Sequence, residues 1–137
     1  MGQQQLLLIV LGVIIVGIAI VVGINLFNAN ATSSNRDAVI SDLNNLAAMA
    51  HQFYMKPSSM GGGNNSYSTW DITTSGFTKV SSTSVSTANG TYTLTSGDQT
   101  CTIVGVGNKV GKDGAAFVKA TMIVKVAPTA DSVAVNN

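Results

Sequence analysis

A chain of 137 residues with 9% charged side chains and a formal net charge of +1 carries no basic field for nucleic acid and no acidic tail. Its single cysteine, Cys101, rules out an intrachain disulfide and a thiolate metal cluster. Once the apolar start is set aside, roughly 110 residues remain, enough for one modest core.

Residues 6–24 form an uncharged apolar run, interrupted only by Gly12, Gly17 and Gly23. As a helix rising ~1.5 Å per residue, such a run is long enough to cross a ~30 Å hydrocarbon layer. No Lys or Arg precedes it and none follows before Arg36, so the positive-inside rule has nothing to act on. A secretory signal would have a basic leader and a shorter apolar core. Either a leader has been removed ahead of Met1, or the leader is nearly absent. Gln3, Gln4 and Gln5 put amides ahead of the run. They read either as a polar cap at the headgroup level or as groups buried between neighbouring subunits.

Residues 28–35 are polar and poor in helix propensity. Periodicity then resumes: Val39, Leu43, Leu46, Ala50 and Phe53 recur every three or four residues, flanked by Ile40, Ala47 and Tyr54. That spacing is one apolar stripe of an amphipathic helix. Pro57 is expected to stop it at about Met55 or Lys56. A continuous helix over residues 4–56 would be ~80 Å long.

Residues 60–65, with Gly61, Gly62 and Gly63, read as a flexible connector. The pattern then changes to period two. Residues 77–87 are a first strand candidate, and Asn89-Gly90 signals a type I′ hairpin into a second over 91–96. Residues 99–106 are a third, with Cys101 and Ile103 on one side, and Gly111 to Gly114 make a turn. In the strand expected over 116–126, Val118, Ala120, Met122, Val124 and Val126 share one face, opposite Lys119, Thr121 and Lys125. Residues 132–135 supply a short edge strand beyond Pro128. The expected fold class is α+β: a long N-terminal helix, apolar in its first half and amphipathic in its second, packed on a C-terminal antiparallel β-sheet. The division is an apolar helix over 1–27 and a head over 28–137, with helix to about 56, loop over 57–76 and sheet over 77–137. The helix-sheet core is expected from Val39, Leu43, Leu46, Ala50 and Phe53 against Val118, Met122 and Val124.

Few residues suggest chemistry. His51 is the only histidine, the six aspartates are scattered, and no serine stands in a G-x-S-x-G context. Lys112-Asp113-Gly114 is a weak candidate for a cation, and Gly105-Val106-Gly107 lacks the following helix of a phosphate loop. Cys101 reads as a small buried hydrophobe. No enzyme, cofactor or metal is expected. Sequons at Asn30, Asn64 and Asn89 permit N-glycosylation in a host that performs it.

The uncharged apolar helix, its amphipathic continuation and the following antiparallel sheet resemble the type IV pilins and pilin-like proteins. The likeness rests on residues 1–27 for sequence and on element order for the rest. Met1 matches a processed pilin start, or Gly2 is the residue behind which a peptidase cuts. Pilins usually carry a glutamate just inside the N-terminus; here Gln5 holds that place if Met1 is the start, and Leu7 does if Gln3 is. The proline that often loosens the pilin helix is absent, as is the C-terminal disulfide loop. What the resemblance implies is a subunit held in the inner membrane until leader peptidase and a pilus assembly machinery pass it into an extracellular helical homopolymer. The polymerisation interface would then comprise Gln5, Leu6, Leu7, Ile9, Val10 and Val13, continuing through Ile14, Gly17, Ile20, Val21, Ile24 and Phe27. Small residues at Gly12, Gly17, Ala19 and Gly23 permit close helix approach. A pseudopilin of a secretion machine, or a single-pass membrane-anchored binding module at the envelope, are the alternatives.

Overall fold

The computed structural model of the chain describes residues 2–111, 114–125 and 131–136. One helix, α1, covers Gly2–Met55. Six strands follow: β1 (Thr78–Ser81), β2 (Ser84–Ser86), β3 (Gly90–Ser96), β4 (Thr100–Val110), β5 (Phe117–Lys125) and β6 (Ser132–Asn136). They form one antiparallel sheet in chain order, each strand pairing with the next. The class is α+β. The chain divides into two compact units between Ala31 and Thr32, described separately here.

In the second unit the apolar stripe of α1 supplies the helical side of the core: Val39, Leu43, Leu46, Ala47 and Ala50 are buried. Phe53 is half-buried and packs against them. The sheet answers at every second residue. In β5, Val118, Ala120, Met122 and Val124 are buried while Lys119 is exposed; Val118 sits beside Gly107 at the margin of the core. Cross-strand rows such as Val85–Tyr92–Gly105–Ala120 and Leu94–Ile103–Met122 carry the inner face across the strands. Val126, expected on the same face, lies outside the described residues, as do Lys112, Asp113 and Pro128.

Four expectations about the head need correction. The segment 77–87 is not one strand but the hairpin β1–β2, turning at Ser82-Thr83, where the Ser81 and Ser84 hydroxyls bond at 2.9 Å. No Gly or Pro announces that turn, so a Ser/Thr run hides it. The β2–β3 connection is not a type I′ turn on Asn89-Gly90: neither residue has positive φ, which such a turn requires. Gly90 instead lets β3 lie close to β4, since a Cβ there would collide with the Val106 carbonyl. The third strand extends to Val110, past a register shift after Val106.

The fourth concerns residues 60–65, which are tied down rather than flexible. Gly63 N–H donates to Phe53 O at 2.8 Å, Asn64 N–H to Lys56 O at 3.0 Å and Asn65 N–H to Tyr54 O at 3.0 Å. These donors satisfy carbonyls that the last turn of α1 leaves open. Gly62 and Gly63 are needed there because side chains would strike Lys56 and the Phe53 ring. The loop beyond also feeds the core through Tyr67, Trp70 and Ile72, all buried.

Candidate assembly interface and the head it belongs to

Every described residue from Gly2 to Asn30 is exposed. The large apolar side chains over 6–27 run from 50% exposed at Leu11 to 74% at Phe27. This part of α1 is long and apolar enough to cross a membrane by length and composition. Leu6, Leu7, Ile9, Val10, Val13, Ile14, Ile20, Val21 and Ile24 are all exposed, and so is Gln5. A Cβ built on Gly12, Gly17 or Gly23 would meet no atom within 4 Å, so no contact among the described residues explains those glycines. At ~100° per residue, Gly12, Val16, Ala19 and Gly23 fall on one narrow face, with Gly17 well away from it. That face is a shallow trough flanked by branched aliphatic side chains. It suits a second helix laid close against it.

The second unit is fastened by polar residues that periodicity did not single out. Asp42, next to Leu43 of the buried stripe, turns one carboxylate oxygen to three donors. Its Oδ2 accepts from Tyr92 Oη at 2.7 Å, Asn89 Nδ2 at 2.9 Å and Thr87 Oγ1 at 3.0 Å. Burial first, and the bond to Asp42 second, push the Tyr92 phenol well above its usual range. A weak helix former by propensity, the polar stretch 28–35 is nonetheless helical, and two of its residues bind the sheet. Thr32 Oγ1 donates to Val110 O at 3.0 Å, and Asn35 Nδ2 donates to Asn89 O at 2.9 Å. Lys109 N–H returns a bond to Asn35 Oδ1 at 3.3 Å. Gly105 and Gly107 explain why the helix can come this close. A Cβ on Gly105 would stand 2.9 Å from both Val39 Cγ1 and the Tyr92 ring, and one on Gly107 would strike Asn35.

His51 sits at the helix-sheet boundary. Its Nε2 lies 2.9 Å from Asp131 Oδ2, and its Nδ1 lies 3.2 Å from Tyr67 Oη. Tyr67 also packs on Tyr54 with ring centroids 4.8 Å apart. Burial, with Cys101 and Asp131 adding to it, pushes the Tyr67 phenol up to about 12. Burial and then Asp131 push the Cys101 thiol up to about 12, so it is a poor nucleophile at neutral pH. Among the described residues no group of three His, Cys or acidic side chains could hold a metal ion. Of the sequon asparagines, Asn30 and Asn64 are exposed, whereas the Asn89 amide is committed to Asp42.

Searches against protein-family models, curated proteins and solved structures found no match to this chain. The architecture is nonetheless of one recognisable kind. A long N-terminal helix with an apolar first part and a second part packed on an antiparallel sheet is a pilin-like arrangement.

Proposed function

We propose that this chain is the structural subunit of an extracellular, type IV pilus-like filament, polymerising through the apolar part of α1. The observation that carries the reading is the contrast between the two units. The head has its own closed core, while residues 6–27 expose apolar side chains all round. Burying each large aliphatic side chain is worth about 1.5–3 kcal/mol. A helix of this kind is therefore stable only in lipid or against copies of itself. Helices packed at the axis, with successive subunits related by one rotation and rise, give an open polymer. Gln5, Leu6, Leu7, Ile9, Val10, Val13, Ile14, Gly17, Ile20, Val21, Ile24 and Phe27 would line the contacts. With Gln5 where an acid would stand in most pilins, subunit register rests on neutral hydrogen bonds and on side-chain fit.

On this reading the chain is not an enzyme. Its partners are copies of itself, the inner membrane before assembly, and the peptidase and assembly machinery that precede polymerisation. Appendages sheared from the producing cells should contain this chain as their main component. Gly23→Leu should reduce the fibre yield by filling the narrow face of Gly12, Ala19 and Gly23 that takes a neighbouring helix. A detergent-bound monomer from cells that bear no fibres would overturn the proposal.

A further inference from the structure

A groove of about 560 Å³ opens between the last turns of α1 and the loop segment carrying Trp70. We propose that it is a saccharide-binding site, taking one hexose unit of a glycan. This inference does not rest on the filament reading, since every residue involved belongs to the head.

The volume falls within the roughly 300–1,000 Å³ of small-ligand sites. Its apolar surface comes from Met49, Phe53 and Trp70. Around that surface stand exposed polar side chains, most of them without a protein partner. Neither the Gln52 amide nor the Lys56 ammonium has a hydrogen-bond or ion-pair partner among the described residues. The Trp70 indole N–H has no acceptor among the described residues and is not buried there, so it meets solvent. Asp71 spends Oδ1 on the Thr73 N–H at 2.9 Å, which holds its carboxyl below the usual range and keeps it an ionised acceptor. In the same wall the Ser75 hydroxyl is buried without a partner, the one such side-chain atom among the described residues. That hydroxyl lies beneath the surface the groove exposes, so the groups that face a ligand are those of the rim.

These features together select the ligand class. A pyranose presents an apolar C–H face to aromatic and thioether carbons, and a rim of hydroxyls that both donate and accept. The groove offers donors at Lys56, Gln52 and Trp70 and an acceptor at Asp71, which suits such a rim. One cation beside one anion gives no net field for a phosphate or a nucleic acid.

The chain has one tryptophan, and it lines the groove, so its emission reports occupancy directly. The full chain, in a detergent without a sugar headgroup, is screened on an array of neutral oligosaccharides. It is then titrated with the methyl glycoside of the preferred terminal hexose. Saturable change in Trp70 emission is expected, with affinity about tenfold weaker in Asp71→Asn and in Lys56→Gln, the worth of one charge-assisted bond. Lys119→Gln, on the opposite face of the sheet, should bind as the parent does. Urea midpoints equal to the parent's identify the variants as folded. No array signal and no saturable change up to 50-fold above ~1 mM would overturn the proposal. So would binding that both groove variants retain in full.

Discussion

Replacing Asp42 by alanine removes the acceptor for three donors at once, and the cost follows from where those donors stand. Tyr92 is fully buried, so its hydroxyl would lose its acceptor in a place that water does not reach. An orphaned buried donor costs about 1–3 kcal/mol. Thr87 and Asn89 are half-buried and recover part of their bonding from water, so about 0.5 kcal/mol each is lost. The total expected for Asp42→Ala is about 3 kcal/mol. Tyr92→Phe removes the donor and leaves the carboxylate its other two partners, so it should cost about 1–2 kcal/mol. With Tyr92→Phe already in place, Asp42→Ala orphans nothing fully buried, and the pair should couple by about 1–2 kcal/mol. Urea unfolding of the full chain in detergent, followed by Trp70 emission and far-UV circular dichroism, measures all four corners of the cycle. Loss below about 0.5 kcal/mol in Asp42→Ala, or additive single changes, would refute the reasoning that this carboxylate pins α1 to β3 and its connection.

Three further outcomes follow from the same head. Gly105→Ala should destabilise by about 1–3 kcal/mol through overpacking against Val39 and Tyr92, and adding Val39→Ala should recover part of that loss; unfolding midpoints decide it. Stability should fall on the alkaline side. Cys101 rises from an ordinary 9.0 to about 12 on folding, so the unfolded thiol loses its proton first and raising the pH favours the unfolded chain. That contribution is intact below pH 9 and is progressively lost towards pH 12. It amounts to about 2 kcal/mol between pH 7 and 10.5, and Cys101→Ala should remove it. Native Cys101 should resist a thiol-alkylating reagent at pH 7.5 and react once urea opens the core, with mass spectrometry counting the adduct.

The helix and most of the sheet could be read from periodicity, because hydrophobic burial imposes it. Val39, Leu43, Leu46 and Ala50 repeat at helical spacing, and Val118, Ala120, Met122 and Val124 alternate, since each set faces the same core. Less legible were features that depend on who meets whom. Asp42 looked like one of six scattered aspartates, although its place beside Leu43 at the edge of the stripe is the signal that points it at the sheet. The pair Gly105 and Gly107 looked like an incomplete loop motif, and only the seated helix explains them. Gly61, Gly62 and Gly63 suggested looseness, where two of the three in fact allow a tight helix cap. Turns made of serine and threonine carry no backbone signature as strong as Gly or Pro, which is why β1 and β2 merged.

For the apolar part of α1 the missing partner is the whole question. The most direct measurement is cryo-electron microscopy of the full chain after detergent is withdrawn, beside fibres taken from the producing cells. The account predicts the same helical fibre in both, with residues 6–27 packed at the axis and Gly12, Ala19 and Gly23 against a neighbouring helix. A chain that stays in bilayers as a permanent single span, or a fibre whose 6–27 helices face solvent or lipid rather than one another, would contradict it.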